Sequence, residues 1–194
     1  MSGDGDLVQI VDAALAEAVR RSGAWLVCRP GCAECCIGPF PITQLDARRL
    51  REGLSELTAR DPARAARVRG RARESVIRIL PDFPGDPATG VLSDEDAAFA
   101  EEEPCPALDP ASGTCDLYAA RPITCRLFGP PVRRPSDAVG VCALCFRGAS
   151  DEEIAACEVE ADFGELESRL LRELETTSGA GGQTIVALAL RELP

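Results

Sequence analysis

The residues of this chain that could do chemistry are its ten cysteines. Four of them lie within nine residues, at Cys28, Cys32, Cys35 and Cys36, and the last two are adjacent. Because the chain contains no histidine, a site for a soft metal must be built from thiolates. Cysteines two to three residues apart let a loop curl so that several sulfurs face one centre. The sequence therefore predicts a cysteine-ligated metal site or iron–sulfur centre.

The number of cysteines favours two centres over one, because a tetrahedral all-thiolate site uses only four ligands. The cysteines outside the first loop are Cys105, Cys115, Cys125, Cys142, Cys145 and Cys157. Cys142 and Cys145 have the spacing of a metal-binding knuckle, so we predict that both are ligands. Cys157 falls within a predicted helix, where both a packed core thiol and a metal ligand fit the pattern. If the backbone at Cys35 is extended, Cys36 points away from it and serves a second metal or another corner of the centre.

Three other interpretations of the first loop fit less well. Disulfides are disfavoured because adjacent cysteines do not readily pair and because the expected compartment, the cytoplasm, keeps thiols reduced. The spacing Cys-x3-Cys-x2-Cys also occurs in radical S-adenosylmethionine enzymes, but this sequence lacks the alternating strand–helix pattern of the barrel that carries it there. Bacterial ferredoxins space their ligands as Cys-x2-Cys-x2-Cys-x3-Cys-Pro, which the loop does not match.

The elements that must position these thiols are mostly helices in the first half of the chain. Apolar residues at helical spacing predict an amphipathic helix over 6–21, with Asp6 as its N-cap. Thr43 is expected to cap a second helix over 44–60. An Asp-Pro pair then starts a third helix, which runs over 62–80. Prolines and glycines between the first two helices indicate that the first four cysteines lie on a loop.

The second half of the chain is predicted to contain more varied elements, most of them short. A Pro/Gly-rich linker precedes Ser93, which is expected to cap a short acidic helix. Residues 105–118 predict two very short strands around a Ser-Gly turn, followed by a short helical turn that carries Cys125. A long helix is predicted over 151–175 with its first residue, an Asp, as the cap, and a short terminal helix is predicted to start at Thr184.

Together these elements predict a mainly α fold, with a short irregular β-hairpin and Cys-rich loops around a metal or iron–sulfur centre. We expect an N-terminal helix in residues 1–24, a cysteine-cluster metal-binding domain with inserted helices in 25–148, and a C-terminal helical extension in 149–194. Aromatic residues make up only 4% of the chain. Small aliphatic side chains must therefore fill the core, which would gain from the crosslinks of a bound metal.

The charge of the chain excludes some classes of partner. A net charge of −11 disfavours binding to nucleic acid, whose phosphates it repels. Seven arginines from Arg60 to Arg78 lie along the third predicted helix or just before it. We interpret them as a solvated face that balances acidic stretches, the alternative being a docking patch for an acidic partner. No targeting segment is visible and no apolar run approaches the roughly 20 residues that cross a bilayer, so we expect a cytoplasmic protein without a membrane partner.

Part of the sequence resembles a known family. The residues that carry the resemblance are Cys28-x3-Cys32-x2-Cys35-Cys36, then Cys105-Pro-x-Leu, then Cys115-x2-Tyr118-x2-Arg121-Pro122-x2-Cys125-Arg126-x-Phe128. Over roughly residues 25–146 this pattern is similar to the YkgJ-type CxxCxxCC proteins, which are described as zinc- or iron-chelating domains. This chain has three residues rather than two between its first two cysteines. The resemblance implies a small, mostly helical domain whose dispersed cysteines converge on metal or iron–sulfur centres. The ligands it implies are Cys28, Cys32, Cys35, Cys36, Cys105, Cys115 and Cys125.

Two arginines flank Cys125 in this block. Clustered thiolates carry net negative charge, and guanidinium groups near the sulfurs would offset it and adjust a redox potential. Arg121 and Arg126 are therefore candidate cofactor-binding residues, although arginines that cap backbone carbonyls at the surface fit the same pattern. Tyr118 and Phe128 are expected to form a dry wall packed beside the site.

The donor set leaves the metal open. Thiolates favour zinc, copper(I) or iron–sulfur clusters over magnesium or calcium. The crowded first loop and the scattered later cysteines favour an iron–sulfur cluster of the [4Fe–4S] kind, with zinc as the alternative. The predicted function is a metal- or cluster-binding protein. The alternatives are an iron–sulfur-dependent protein methyltransferase, implied by a resemblance to the flagellin lysine methylases, and an interaction adaptor with structural zinc. The sequence identifies neither a catalytic residue nor a protein partner.

Overall fold

The fold is mainly α with small antiparallel strand pairs, which confirms the predicted fold class. The computed structural model describes residues 2–93, 97–133, 139–159 and 165–191. Its helices are α1 (Ser2–Ser22), α2 (Gln44–Arg60), α3 (Pro62–Ile79), α4 (Ile123–Leu127), α5 (Asp151–Ala155), α6 (Leu166–Ser178) and α7 (Val186–Ala189). Its strands are β1 (Ile42–Thr43), β2 (Gly85–Asp86), β3 (Val91–Leu92), β4 (Leu108–Asp109), β5 (Thr114–Cys115), β6 (Val132–Arg133), β7 (Val139–Gly140) and β8 (Gln183–Thr184). The pairs are β1–β8, β2–β3, β4–β5 and β6–β7.

The chain forms two compact units, and each unit combines two separate stretches of the sequence. The first unit consists of Met1–Arg29 and Ile123–Arg172, and the second unit consists of Pro30–Pro122 and Glu173–Pro194. The domain boundaries expected at residues 24 and 148 were drawn along the sequence, and they remain a prediction.

The second unit is built on α2 and α3, whose starts were predicted from local signals. Thr43 and Asp46 form a capping box, in which the Thr43 hydroxyl accepts from the Asp46 amide at 3.2 Å and the Asp46 carboxylate accepts from the Thr43 amide at 3.3 Å. Asp61 caps α3 by accepting from the Arg64 amide at 3.0 Å. The apolar faces of both helices pack with α7 in the main core, whose buried members include Leu50, Leu57, Val68, Ala72, Ala189 and Leu190.

Removal of the α2 cap should cost stability. We expect Thr43→Ala to lower the free energy of unfolding by about 1 kcal/mol, because an amide at the start of α2 loses its acceptor. Thr43→Ser keeps the hydroxyl and should stay close to wild type. Denaturant unfolding followed by circular dichroism measures both, and equal losses in the two variants would show that the cap oxygen is not what stabilises α2.

The first unit contains α1 packed on α4. Leu7 and Val11 of α1 are fully buried and lie in one apolar cluster with Ile123, against which Leu170 of α6 packs. The prediction that Asp6 caps α1 is wrong, because the helix begins four residues earlier. Close packing gives the reason, since a side chain at Gly3 would approach Leu170 to 2.7 Å.

Two predicted elements near the C-terminus differ from the structure. The long helix over 151–175 is wrong: Ser150 caps α5, which ends at Ala155. Past that end, the Val159 amide donates to the Pro131 carbonyl at 2.8 Å, and this long-range backbone pairing replaces the helix. Thr184 does not start the terminal helix, because it pairs with β1 as part of β8.

The short acidic helix predicted after Ser93 begins at residues 94–96, which lie outside the described part of the chain, and residues 97–103 are irregular. Among the described helices, none combines the length and the apolar character needed to cross a membrane.

Candidate metal centres

All ten cysteines lie in the described part of the chain and are thiols rather than disulfides. They divide equally between the two units. The second unit contains Cys32, Cys35, Cys36, Cys105 and Cys115, and the first unit contains Cys28, Cys125, Cys142, Cys145 and Cys157.

The cysteine loop of the second unit turns sharply at its adjacent pair. Glu34–Cys36 is a turn of 3-10 helix, in which the Cys36 amide donates to the Ala33 carbonyl at 2.8 Å. The backbone is therefore not extended, and Cys36 does not point away from Cys35 as the sequence interpretation supposed. The two thiols are hydrogen-bonded, and this bond together with burial raises the pKa of Cys35 far above its ordinary value.

Backbone pairing joins this loop to the segment that carries Cys105. The Cys105 amide donates to the Cys36 carbonyl at 2.7 Å, and the Gly38 amide donates to the Glu103 carbonyl at 2.9 Å. These bonds hold the adjacent thiol pair beside Cys105 within one unit.

The β4–β5 hairpin brings in the fifth thiol of the second unit. Cys115 pairs across it with Leu108, whose amide donates to the Cys105 carbonyl at 2.9 Å. The hairpin turn also lies against the loop, since a side chain at Gly113, where φ is +67°, would come within 3.0 Å of the Gly31 carbonyl oxygen. The predicted hairpin is confirmed, and it packs Cys105 and Cys115 against the main core.

The environment of these thiols disfavours the deprotonation of several of them at once unless a cation is bound. Burial, with a smaller contribution from the charges of Cys115 and Cys35, raises the pKa of Cys105 to about 12. Burial likewise raises the pKa of Cys115, with Asp116 adding to the rise, while Arg121 and Arg64 oppose it. Cys35 and Cys115 therefore each lie close enough to Cys105 to affect its charge.

Asp116 is a supporting residue that the sequence interpretation missed. Its side chain is buried and forms ion pairs with Arg64 and Arg71 of α3, and Arg71 also donates to the Pro106 carbonyl at 2.8 Å. These contacts fix both ends of the hairpin segment to α3. The sequence signal that could have identified Asp116 was its place directly after Cys115, together with two arginines seven residues apart on one predicted helix face.

The first unit brings together thiols that are far apart in sequence. The Sγ atoms of Cys28 and Cys145 are 4.0 Å apart. Cys145 and Cys157 are buried in one apolar cluster, against which the partly exposed Cys142 packs. Cys125 lies on α4 and is partly exposed.

The matching family decides the identification. Residues 27–145 match the CxxCxxCC family, described as a "putative zinc- or iron-chelating domain". This chain belongs to the CxxCxxCC family. The match covers more than half of the chain and includes every cysteine except Cys157. No curated protein and no solved structure matches the chain significantly.

The arginines of the CxxCxxCC pattern have different surroundings. Arg126 is buried and donates to both carboxylate oxygens of Asp12 at 2.7 Å, which ties α4 to α1. Arg121 lies over the Tyr118 ring, 3.9 Å from its centroid, and donates to the Tyr118 carbonyl at 3.2 Å. Its charge lowers the pKa of Cys115 and so favours the thiolate. A cofactor-binding role stays a prediction for both arginines.

The predicted dry wall beside the site is wrong. Tyr118 is 63% exposed and Phe128 is 39% exposed. Tyr118 instead offers its ring face to the Arg121 guanidinium, an arrangement that suits a partly solvated aromatic ring.

The donor set fits the soft metals that the CxxCxxCC family is described as chelating, because thiolates with no competing imidazole select zinc or iron–sulfur centres. Among the described residues, no three Cys, Asp or Glu side chains are already arranged around one point as a finished metal site.

Metal binding should release protons. Because their pKa values are raised, Cys35, Cys105 and Cys115 are protonated at neutral pH, and we expect about one proton to be displaced for each thiolate that binds a metal ion. Metal affinity should consequently rise with pH. Calorimetric titration of the reduced apo protein with zinc, repeated in buffers of different ionisation enthalpy, counts these protons. An observed heat that does not depend on the buffer would contradict this expectation.

Proposed function

We propose that this member of the CxxCxxCC family is a thiolate metal-binding protein, and that Cys32, Cys35, Cys36, Cys105 and Cys115 form its second-unit centre. The observation that carries the proposal is the shared neighbourhood of Cys35, Cys105 and Cys115, which come from a loop and a hairpin. A hydrogen bond with Cys36 at Cys35, and burial at Cys105 and Cys115, hold these thiols in their protonated form. A bound cation would balance the charge of the thiolates and make this arrangement favourable.

We propose an iron–sulfur cluster of the [4Fe–4S] kind as the group bound there, with zinc as the alternative. Zinc sites commonly use two cysteine pairs at short spacing. The second unit offers one such pair, Cys32 and Cys35, whereas Cys115 lies on β5 and Cys105 lies three residues before β4. Five thiols dispersed over three places suit the separate iron corners of a cluster. When bound, the cluster would supply one-electron chemistry or a rigid crosslink.

The residues of this chain would hold and adjust such a group in distinct ways. The backbone bond from Cys105 to the Cys36 carbonyl fixes the loop against the hairpin, and Asp116 fixes the hairpin against α3. Arg121 would favour the charged form of Cys115. We place the protein in the cytoplasm, where thiols remain reduced.

Metal analysis of protein purified without oxygen tests the proposal. A coloured protein with equal amounts of iron and acid-labile sulfide supports the cluster, and a colourless protein with stoichiometric zinc supports zinc. A chain that contains neither, and that takes up neither during reconstitution under reducing conditions, would overturn the proposal. No feature of the described residues favours the methyltransferase or the adaptor with structural zinc, so both stay hypotheses.

A further inference from the structure

The first unit contains a pair of thiols at the spacing of a mononuclear metal site. Cys28 Sγ and Cys145 Sγ are 4.0 Å apart. Four thiolates at about 2.3 Å from a zinc ion lie about 3.8 Å from one another in a regular tetrahedron. Each thiolate of a [4Fe–4S] cluster binds a different iron, which spaces the sulfurs more widely. The observed pair therefore fits a single ion better than a [4Fe–4S] cluster.

A turn holds the second member of this pair in place. Cys142 and Cys145 bracket a tight turn, in which the Cys145 amide donates to the Cys142 carbonyl at 2.9 Å. Phe146 follows in the left-handed region at φ +57°, and its amide donates to the Trp25 carbonyl at 3.0 Å. The Trp25 and Phe146 rings stack with their centroids 6.4 Å apart. This contact anchors the Cys-x2-Cys turn to the segment that leads directly into Cys28.

The early end of α5 supplies a fourth thiol. Cys157 lies just past this end, is 5% exposed and shares its apolar cluster with Cys145, which is 4% exposed. The Val159 amide, bonded to the Pro131 carbonyl, fixes the chain where the helix has ended.

Gly129 leaves room for the Cys28 thiol. Its φ is +120°, and a side chain there would place Cβ 3.1 Å from Cys28 Sγ and 3.2 Å from Leu26 Cδ1, both tighter than most packing contacts. Arg147 provides a positive charge beside the turn, where its Nε donates to the Ala143 carbonyl at 3.0 Å. Such a charge would offset the net negative charge of four thiolates around a divalent ion.

We propose that Cys28, Cys142, Cys145 and Cys157 form a first-unit centre that binds one soft divalent cation, with zinc as the cation to test. The inference rests on the proposed function, because it extends thiolate metal binding from the second unit to the first. It assigns Cys28 to a different centre from Cys32, Cys35 and Cys36, which follow it closely in the sequence. It also makes Cys157, which lies outside the family match, a metal ligand. In the described part of the chain these four thiols are not yet gathered around one point, so the proposal includes their closing onto the ion.

Zinc titration of the reduced, metal-free full-length protein against a chromophoric chelator tests the assignment. We expect the wild type to bind two zinc ions, and Cys28→Ser, Cys157→Ser and Cys105→Ser each to bind one. Cys28 is exposed, so Cys28→Ser removes a ligand without disturbing the core, and circular dichroism checks the fold of the buried Cys157→Ser variant.

A matched pair of glycine variants separates the close approach to Cys28 from backbone strain. Gly129→Ala should lower the zinc affinity of the first-unit centre by about tenfold, the lower limit for disturbing groups that surround a metal site. Gly148→Ala also has a positive φ, of +81°, but its new side chain would meet nothing within 4 Å. It should leave the zinc affinity unchanged.

The outcomes distinguish this inference from the proposed function. A wild type that binds one zinc, with stoichiometry unchanged in Cys28→Ser and Cys157→Ser but lost in Cys105→Ser, would overturn the first-unit centre and leave the second-unit centre standing. Loss of a zinc in Cys28→Ser but not in Cys157→Ser would overturn the role of Cys157. A wild type that binds no zinc and no iron would overturn the proposed function itself.

Discussion

Cys105→Ser should abolish stoichiometric metal binding at the second-unit centre. The Cys105 amide donates to the Cys36 carbonyl of the loop, and the Cys105 carbonyl accepts from the Leu108 amide of the hairpin. Its partly buried thiol packs against the main core. Loss of groups that merely support metal ligands lowers affinity by about 10- to 100-fold, so loss of this ligand should cost at least about 100-fold. Iron and sulfide content after anaerobic reconstitution, together with zinc competition, measures the effect.

An exposed position in the same hairpin provides the control for this variant. Ala111 lies in the β4–β5 turn, and Ala111→Ser adds a hydroxyl to the hairpin without removing a thiol. It should bind metal as the wild type does. If Cys105→Ser kept full metal content and affinity, Cys105 would not be a ligand and the second-unit centre would have to be built elsewhere.

Asp116→Asn should destabilise the second unit more than any single change outside the cysteines that we consider. The substitution preserves shape but removes the charge that two arginines of α3 share, at a carboxylate that is almost fully buried. Hydrogen bonds to charged groups each contribute about 1.5–3 kcal/mol. Because Arg64 and Arg71 are partly exposed and can turn to water, we expect a net loss of about 2–3 kcal/mol.

Denaturant unfolding of the metal-free protein isolates this effect from metal affinity. Asp109→Asn is the control, because Asp109 is a partly exposed carboxylate of the same hairpin whose strongest partner is local, the Ser112 hydroxyl at 2.7 Å, and the α3 arginines act on it only through their charge. It should change the free energy of unfolding by less than about 0.5 kcal/mol, as surface changes usually do. Equal effects of the two variants would show that the ion pairs to α3 do not stabilise the hairpin.

The elements that the sequence predicted well are those with local signals. The capping box at Thr43 and the Asp-Pro start at Asp61 gave the bounds of α2 and the start of α3 because each signal acts within one turn of helix. The hairpin followed from a Ser-Gly turn whose glycine has a positive φ. The resemblance to the CxxCxxCC family depended likewise on short spacings and is confirmed over residues 27–145.

The features that the sequence did not predict depend on contacts between distant residues. Packing of Gly3 against Leu170 extends α1 to Ser2, and the bond from Val159 to Pro131 ends the predicted C-terminal helix early. The approach of Cys28 to Cys145 joins residues 117 positions apart. Short spacings in the sequence cannot predict such contacts, because these contacts depend on which surfaces the packed core brings together.

Native mass spectrometry of the protein purified without oxygen tests the central claim most directly, since it weighs the intact chain together with whatever it binds. We predict a mass above that of the bare polypeptide by a bound iron–sulfur cluster or by zinc, falling to the polypeptide mass after acid and chelator. Cys105→Ser should lack the mass of the second-unit centre. A wild-type protein found only at the polypeptide mass, even after reconstitution with iron, sulfide and zinc, would contradict the claim that these thiols bind metal.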